Sequence, residues 1–230
     1  MLYNRLLFAL LFLVFGLSVS IDGGEKDILL HDLRLCREFL DNNAKYAFDV
    51  GISYHNSDGS VLKANGEYVK YNQFHFTEMD SMRSLRTETR ELTISERDKR
   101  IYYKTGSLGE WSGRHPIDSI YRILDNVATL HYSQTRVGIS VYTFTFIDQA
   151  YKQVEVTLNT TEKYLERIKM LPSNPAALQG IELVDIRYKL QKGRVRLKED
   201  KYKFEHYLIQ EKEGLHLTSQ YQDYFLHRLN

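Results

Sequence analysis

The sequence predicts an α+β fold, mainly antiparallel β, and three observations predict it. First, period-two alternation of apolar and polar residues runs almost unbroken from Tyr46 to Lys104. Second, a further strand-rich stretch returns after Ala128. Third, two short stretches carry apolar stripes at the helical period. A long antiparallel sheet with one apolar face must cover that face, with its own helices or with a greasy ligand.

The elements follow in order. Arg5, an apolar run from Leu6 to Leu17 and the small residues Ser18 and Ser20 read as a secretory signal peptide over residues 1–20. The apolar run is about a dozen residues, short of the ~20 that span a bilayer. Cleavage is expected near Ser20, and no lipobox cysteine follows. From Gly24 to Asn43, Leu29, Leu33, Cys36 and Leu40 fall on one stripe with Phe39 beside them, and Asp27, Asp32, Arg34, Arg37 and Glu38 fill the other face. This helix points Cys36 into the core. In the meander, Tyr46, Phe48, Val50, Ile52 and Tyr54 alternate with smaller or polar residues, and Asn56-Ser57-Asp58-Gly59 turns the chain. Glu67, Val69 and Tyr71 then alternate with Tyr68 and Lys70, Phe74 and Phe76 flank His75, and Ile101-Tyr102-Tyr103 closes the run. A glycine-punctuated loop, Thr105 to Gly113, leads to Pro116 and a second stripe of Ile117, Ile120, Tyr121 and Leu124. The second meander holds Tyr142 to Ile147, Val154 to Leu158, a turn at Asn159-Thr160-Thr161-Glu162, and Val184 to Leu190. Tyr164 to Met170 fits both periods, and the preceding turn favours a strand. Pro172 and Pro175 mark a loop.

Bulk properties narrow the class. Residues 21–230 fit one domain with a sizeable core. The formal charge is +1 with the leader and about zero without Arg5, so no global field recruits nucleic acid or membrane. Cys36 is the sole cysteine, which forbids an internal disulfide and suits a bacterial periplasm. The sequon at Asn159-Thr160-Thr161 is formal only in that setting.

No catalytic signature stands out. Gly106, Gly109 and Gly113 match neither the P-loop nor the dinucleotide fingerprint, and no Gly-x-Ser-x-Gly elbow occurs. The eight histidines, His31, His55, His75, His115, His131, His206, His216 and His227, show no metal-ligand spacing, and His75 is expected on a solvent face. The basic cluster of Lys189 to Lys203 reads either as an edge hairpin guarded by cations or as a patch for an anionic partner, with Arg194, Arg196 and Lys198 on one face. The 17 tyrosines and 11 phenylalanines either pack a core or line a cavity.

The stretch YAFDVGISY…GEYVKYNQFHFTEMDSMRSLRTETRELTISERDKRIYY, with Gly66 and Lys70 in its hairpin and Asp98-Lys99-Arg100-Ile101-Tyr102-Tyr103 at its end, resembles the LolA-like outer-membrane lipoprotein carrier family. It looks most like divergent exported members from Bacteroidetes-type bacteria. QVEVTLNTTEKYLERIKML, ELVDIRYKL and the ending KFEHYLIQEKEGLHLTSQYQDYFL resemble the family's second half. The resemblance implies a strongly curved, unclosed antiparallel barrel with an N-terminal helix and a second helix as plug, enclosing a cavity that shields acyl chains. The carriers' cavity arginine matches no position in this chain.

The expected function is that of an exported, periplasmic or secreted, non-catalytic lipid- or lipoprotein-binding carrier without cofactor or metal. Its wall candidates are Phe48, Val50, Ile52, Val69, Phe74, Phe76, Phe144 and Phe146, and the helix Ile117–Leu124 is the candidate cover. The alternative is an interaction subunit of an envelope or secretion assembly, with a filled interior and the basic hairpin as its contact. An acyl chain, a lipoprotein or an envelope protein are the expected partners; nucleic acid is not one, and no transmembrane segment is expected in the mature chain.

Overall fold

A computed structural model describes residues 23–106, 116–124, 127–147, 149–192, 195, 197–212 and 214–229. The expected leader and residues 107–113 of the glycine-punctuated loop lie outside them. Among the described residues two α-helices, α1 (Gly23–Asn42) and α2 (Pro116–Ile123), accompany fourteen strands. Those strands are β1 (Lys45–Asn56), β2 (Val61–Tyr71), β3 (Phe74–Met79), β4 (Met82–Arg86), β5 (Arg90–Ser95), β6 (Arg100–Thr105), β7 (Thr129–Arg136), β8 (Ile139–Thr145), β9 (Tyr151–Asn159), β10 (Tyr164–Pro172), β11 (Ile181–Leu190), β12 (Leu208–Glu211), β13 (Gly214–Leu217) and β14 (Phe225–Leu229). Twelve form one sheet in the order β14-β6-β5-β4-β3-β2-β1-β11-β10-β9-β8-β7, and β12 pairs with β13 alone. Every described pairing is antiparallel except that of β14 with β6. Among the described residues no helix is long and apolar enough to cross a membrane.

The chain divides into two compact units, the first drawn from residues 23–42, 51–63 and 116–188 and the second from 43–50, 64–106 and 189–229. In the first, α1 forms where its stripe demands: Leu29, Leu33 and Cys36 are fully buried and Leu40 nearly so. The stripe packs on β7, β9 and β10. Below it the register Leu130↔Phe144↔Val154↔Met170↔Val184 aligns one apolar row across five strands. Burying such a row stabilises by about 1.5–3 kcal/mol per large side chain. Asp32, on the buried side of α1, accepts a 2.6 Å hydrogen bond from the Tyr142 hydroxyl. Its neighbour Cys36 has its thiol pushed up to about 12, by burial first and the Asp32 carboxylate second. That matches the expected inert core thiol.

The sheet's other face in this unit is charged. Lys169 Nζ lies 2.6 Å from Glu155, and Arg167 grips Asp185 through two nitrogens at 2.6 Å each, with Arg187 adding a third contact at 3.0 Å. Tyr164–Pro172 is a strand, as the preceding turn indicated, and Glu162 N donates to Asn159 Oδ1 to close that turn.

In the second unit one sheet face is sealed by the chain's own C-terminal segment. Val69↔Phe76↔Leu85↔Leu92 run in register, all at 2% exposure or less. Ala47, Ile94 and Ile101 join them, and Phe204, Tyr207, Leu208 and Tyr221 lie over them. The cover is pinned by polar contacts at its rim. Lys201 Nζ reaches Glu67 and Glu78, the latter at 3.2 Å; Tyr202 donates to Glu67 at 3.1 Å, and its ring meets Phe76 edge-on at 4.8 Å. Arg83 bridges Glu78 and Glu96 at 2.6 and 2.7 Å. Gly66 allows β2 and β3 to approach, because a Cβ there would stand 1.9 Å from the Glu78 carbonyl oxygen.

Candidate functional site

The opposite face of the second unit carries the chemistry. Ala47 belongs to the sealed core, so alternation along β1 puts Tyr46, Phe48 and Val50 on the other side. These three are 5%, 3% and 7% exposed. The registers of β2 through β6 bring a charged row to that side: Lys70↔His75, His75↔Arg86, Arg86↔Glu91 and Glu91↔Lys104. A second row, Tyr68↔Thr77↔Ser84↔Thr93↔Tyr102, runs beside it. The rows exist because β2 to β6 are successive hairpins with no register slip, so side chains two apart repeat across each strand.

Where the rows meet β1, aromatic and cationic groups interlock. Tyr46 stacks on Tyr68 at 5.9 Å and meets Phe48 edge-on at 5.6 Å. Lys70 Nζ sits 5.4 Å from the centre of the Tyr46 ring, within cation–π range. The Tyr68 hydroxyl and His75 Nδ1 share a 2.9 Å hydrogen bond. Arg86 is 6% exposed, and its Nη1 donates to Glu91 Oε2 at 3.3 Å. Burial takes the His75 imidazole down to about 4, and the charges of Lys70 and Arg86 push the same way. His75 is therefore neutral at physiological pH in a positive local potential.

The structure corrects several expectations. His75 is half-buried and hydrogen-bonded, not a solvent-face residue. The eight wall candidates do not share one wall. Phe48 and Val50 lie on the aromatic–cationic face, whereas Val69 and Phe76 are inside the sealed core, with Phe74 packed against it. Ile52 and Phe144 are buried in the first unit, and Phe146 there is half-buried. The strand alternation was legible; which of two buried faces each phenylalanine joined was not, because both are apolar. Among the described residues between Leu190 and Leu208 there is no strand, and the turn of the expected basic hairpin lies outside them. Arg194 and Arg196 lie outside the described residues and Lys198 is exposed, while Lys201 is spent on Glu67 and Glu78 and Lys203 on Asp200 at 2.6 Å. Val195 and Leu197 pack against the sealed core. Helix α2 is present where its stripe lies, with Ile117 and Ile120 buried.

Arg86 and its row were the residues sequence reasoning missed. The segment Met82–Arg86 alternates too weakly to advertise a strand, so nothing marked Arg86 as the cross-strand neighbour of His75. Among the described residues no cluster of three or more His, Cys, Asp or Glu side chains is placed to hold a metal ion.

No protein-family model and no curated protein matches the chain. Solved structures are similar at a distance. An uncharacterized conserved protein from Thermus thermophilus shares 11% identity over 88% of this chain and 99% of its own, with a TM-score of 0.48. A LolA superfamily protein from Nitrosomonas europaea shares 12% over 73% and 94%, at 0.32. MucB of Pseudomonas aeruginosa, solved in complex with MucA, shares 13% over 82% of this chain and 63% of that one, at 0.44. The chain is thus distantly similar in structure to LolA-superfamily and MucB-type proteins.

Proposed function

We propose that this protein is an exported, non-catalytic binding protein of the bacterial envelope that holds an anionic, acyl-bearing cargo, a lipid or a lipoprotein, against the aromatic–cationic face of β1 to β4. The observation that carries the reading is the cluster Tyr46, Tyr68, Lys70, His75 and Arg86. It sets stacked rings next to a buried guanidinium and a histidine that burial and positive charge keep neutral. The rings supply apolar contact and the cations meet the head. Covering half of a 16-carbon chain contributes about 6 kcal/mol gross at ~0.8 kcal/mol per CH₂, before the cost of ordering it. The leader at residues 1–20 supports export to the periplasm or beyond. Lipid extraction and native mass spectrometry of protein purified from its own host test the reading. A co-purifying acyl anion, lost on Arg86→Met/Glu91→Gln, is the expected result; lipid-free protein at full occupancy of the cell's lipid pool would sink it.

A second reading is favoured by the sealed face. Val69, Phe76, Leu85 and Leu92 are covered by the chain's own Phe204, Tyr207 and Tyr221, so this apolar face is closed to a guest. That suits an interaction subunit of an envelope assembly. Lipid-free protein that still pairs stoichiometrically with one envelope protein would establish this reading instead.

A further inference from the structure

Strand β14 ends the twelve-strand order and pairs with β6 alone, so its far edge is open. Phe225 N donates to the Lys99 carbonyl at 2.9 Å. Parallel pairing therefore turns the backbone groups of Phe225, His227 and Leu229 toward β6 and those of Leu226 and Arg228 outward. The side chains alternate too. Leu226 packs against the sealed core, and Arg228 Nη2 donates to the Leu215 carbonyl at 2.6 Å. Phe225, His227 and Leu229 share the other face and are exposed, Phe225 at 70% and Leu229 at 49%. On that face the Tyr102 and His227 rings stack at 5.0 Å.

Open strand edges are commonly guarded by proline, lysine or a bulge. β14 has no proline and no lysine, and its register with β6 runs without a slip. Its sequence, Phe-Leu-His-Arg-Leu, is complementary to itself in one antiparallel register. With a two-fold axis at His227, Leu226 lies opposite the second copy's Arg228. Both present outward backbone groups, so this pair exchanges two hydrogen bonds and its symmetry mate two more. The same register sets each exposed Phe225 beside the other copy's Leu229, on the face where both lack a neighbour strand. A slip of one residue would set outward groups against engaged ones. A slip of two would face Arg228 with Arg228 or leave Leu229 unmatched. In the matched register the cations of β6, Arg100 and Lys104, stay three strand spacings from those of the second copy, about 14 Å, beyond a screening length of about 8 Å.

We propose that the open β14 edge is a homodimer contact, at which a second copy of this chain adds antiparallel about a two-fold axis through His227. The axis is perpendicular to the sheet, so the face carrying Tyr102 and Lys104 lies on the same side of the joined sheet in both copies. The contact is small beside that of a permanent dimer, which makes it reversible. This inference stands on the edge strand and does not depend on the proposed cargo.

The test uses the full mature chain. Sedimentation velocity between about 5 µM and about 1 mM should show monomer passing to dimer, half-converted at about 100 µM. Phe225→Lys/Leu229→Lys should stay monomeric over the same range while the amide spectrum of β8–β10 is unchanged. A second measurement reads the register. Cys36 is fully buried, so a cysteine introduced on β14 is the one accessible thiol among the described residues. His227→Cys puts two thiols on the axis, in a non-hydrogen-bonded pair with Cα atoms about 4.5 Å apart, and should oxidise to a linked dimer. Phe225→Cys is as exposed, but its copies stand about 14 Å apart along the strands, so it should link about tenfold more slowly or less. Three outcomes overturn the proposal: a wild-type monomer throughout the range, a dimer that survives Phe225→Lys/Leu229→Lys, or equal linking of His227→Cys and Phe225→Cys.

Discussion

Protonating His75 should cost the fold stability in a defined pH window. In the folded chain its imidazole is taken down to about 4 by burial, then by Lys70 and Arg86, against 6.5 when unfolded. Above pH 6.5 the ring is neutral in both states and costs nothing. As pH falls from 6.5 towards 4, the unfolded chain gains a proton that the folded chain resists, so stability falls throughout that interval and levels off below it. Two and a half units correspond to about 3.4 kcal/mol at 1.36 per unit; part of the ring is solvated, so about 2 kcal/mol is the figure to expect. Urea unfolding of the wild type and of His75→Gln at a series of pH values between about 7.5 and 4 isolates this term. Glutamine can still pair with the Tyr68 hydroxyl and does not titrate, so the wild type should lose about 2 kcal/mol more than the variant across the series. Parallel curves for the two proteins would refute the assignment of His75 to a buried, positive environment.

Other perturbations follow from the packing. Gly66→Ala would drive a Cβ to 1.9 Å from the Glu78 carbonyl oxygen, so β2 and β3 must separate; a loss of about 3 kcal/mol or more in urea unfolding is expected. Tyr142→Phe removes the 2.6 Å donor to buried Asp32 and should cost about 1–3 kcal/mol, read as a lower unfolding midpoint. Burial alone would raise the Asp185 carboxyl, but hydrogen bonds from Arg167 and Arg187 take it below the usual range. It therefore contributes stability above its unfolded pKa that is lost as pH falls through the lower folded value, and Asp185→Asn should flatten that acid limb. Lys201→Met leaves Glu67 and Glu78 without their shared ammonium, and hydrogen exchange of residues 200–208 should accelerate before the rest of the chain.

Much of this architecture could be read from periodicity. The stripe of Leu29, Leu33, Cys36 and Leu40 sets α1 within a residue of its ends, and the alternation of Tyr46 to Tyr54 sets β1, because both patterns record a single buried face. The fate of the C-terminal third was illegible for the same reason. β12, β13 and β14 are four or five residues long, too short for a period to show. The pairing of Phe225 with Arg100 joins residues 125 apart in sequence, which no local signal encodes. A tertiary partner also reversed the reading of single residues. Lys201 looks like part of a basic patch until Glu67 and Glu78 come beside it, and His75 looks solvated until the register of β3 with β4 sets Arg86 next to it. Phe74 and Phe76 were visible as inward residues, but the cover they face is chain rather than guest.

The proposed binding place for an anionic acyl cargo is the Tyr46–Arg86 cluster, and the pKa of His75 reports on it directly. Palmitate titrated into the labelled mature protein should raise that pKa from about 4, because a carboxylate placed among Lys70, Arg86 and His75 stabilises the imidazolium. The same titration should shift the ring signals of Tyr46 and Tyr68, and Arg86→Met/Glu91→Gln should weaken binding about tenfold or more. A His75 pKa that stays near 4 at saturating palmitate, with shifts confined to other strands, would contradict the account.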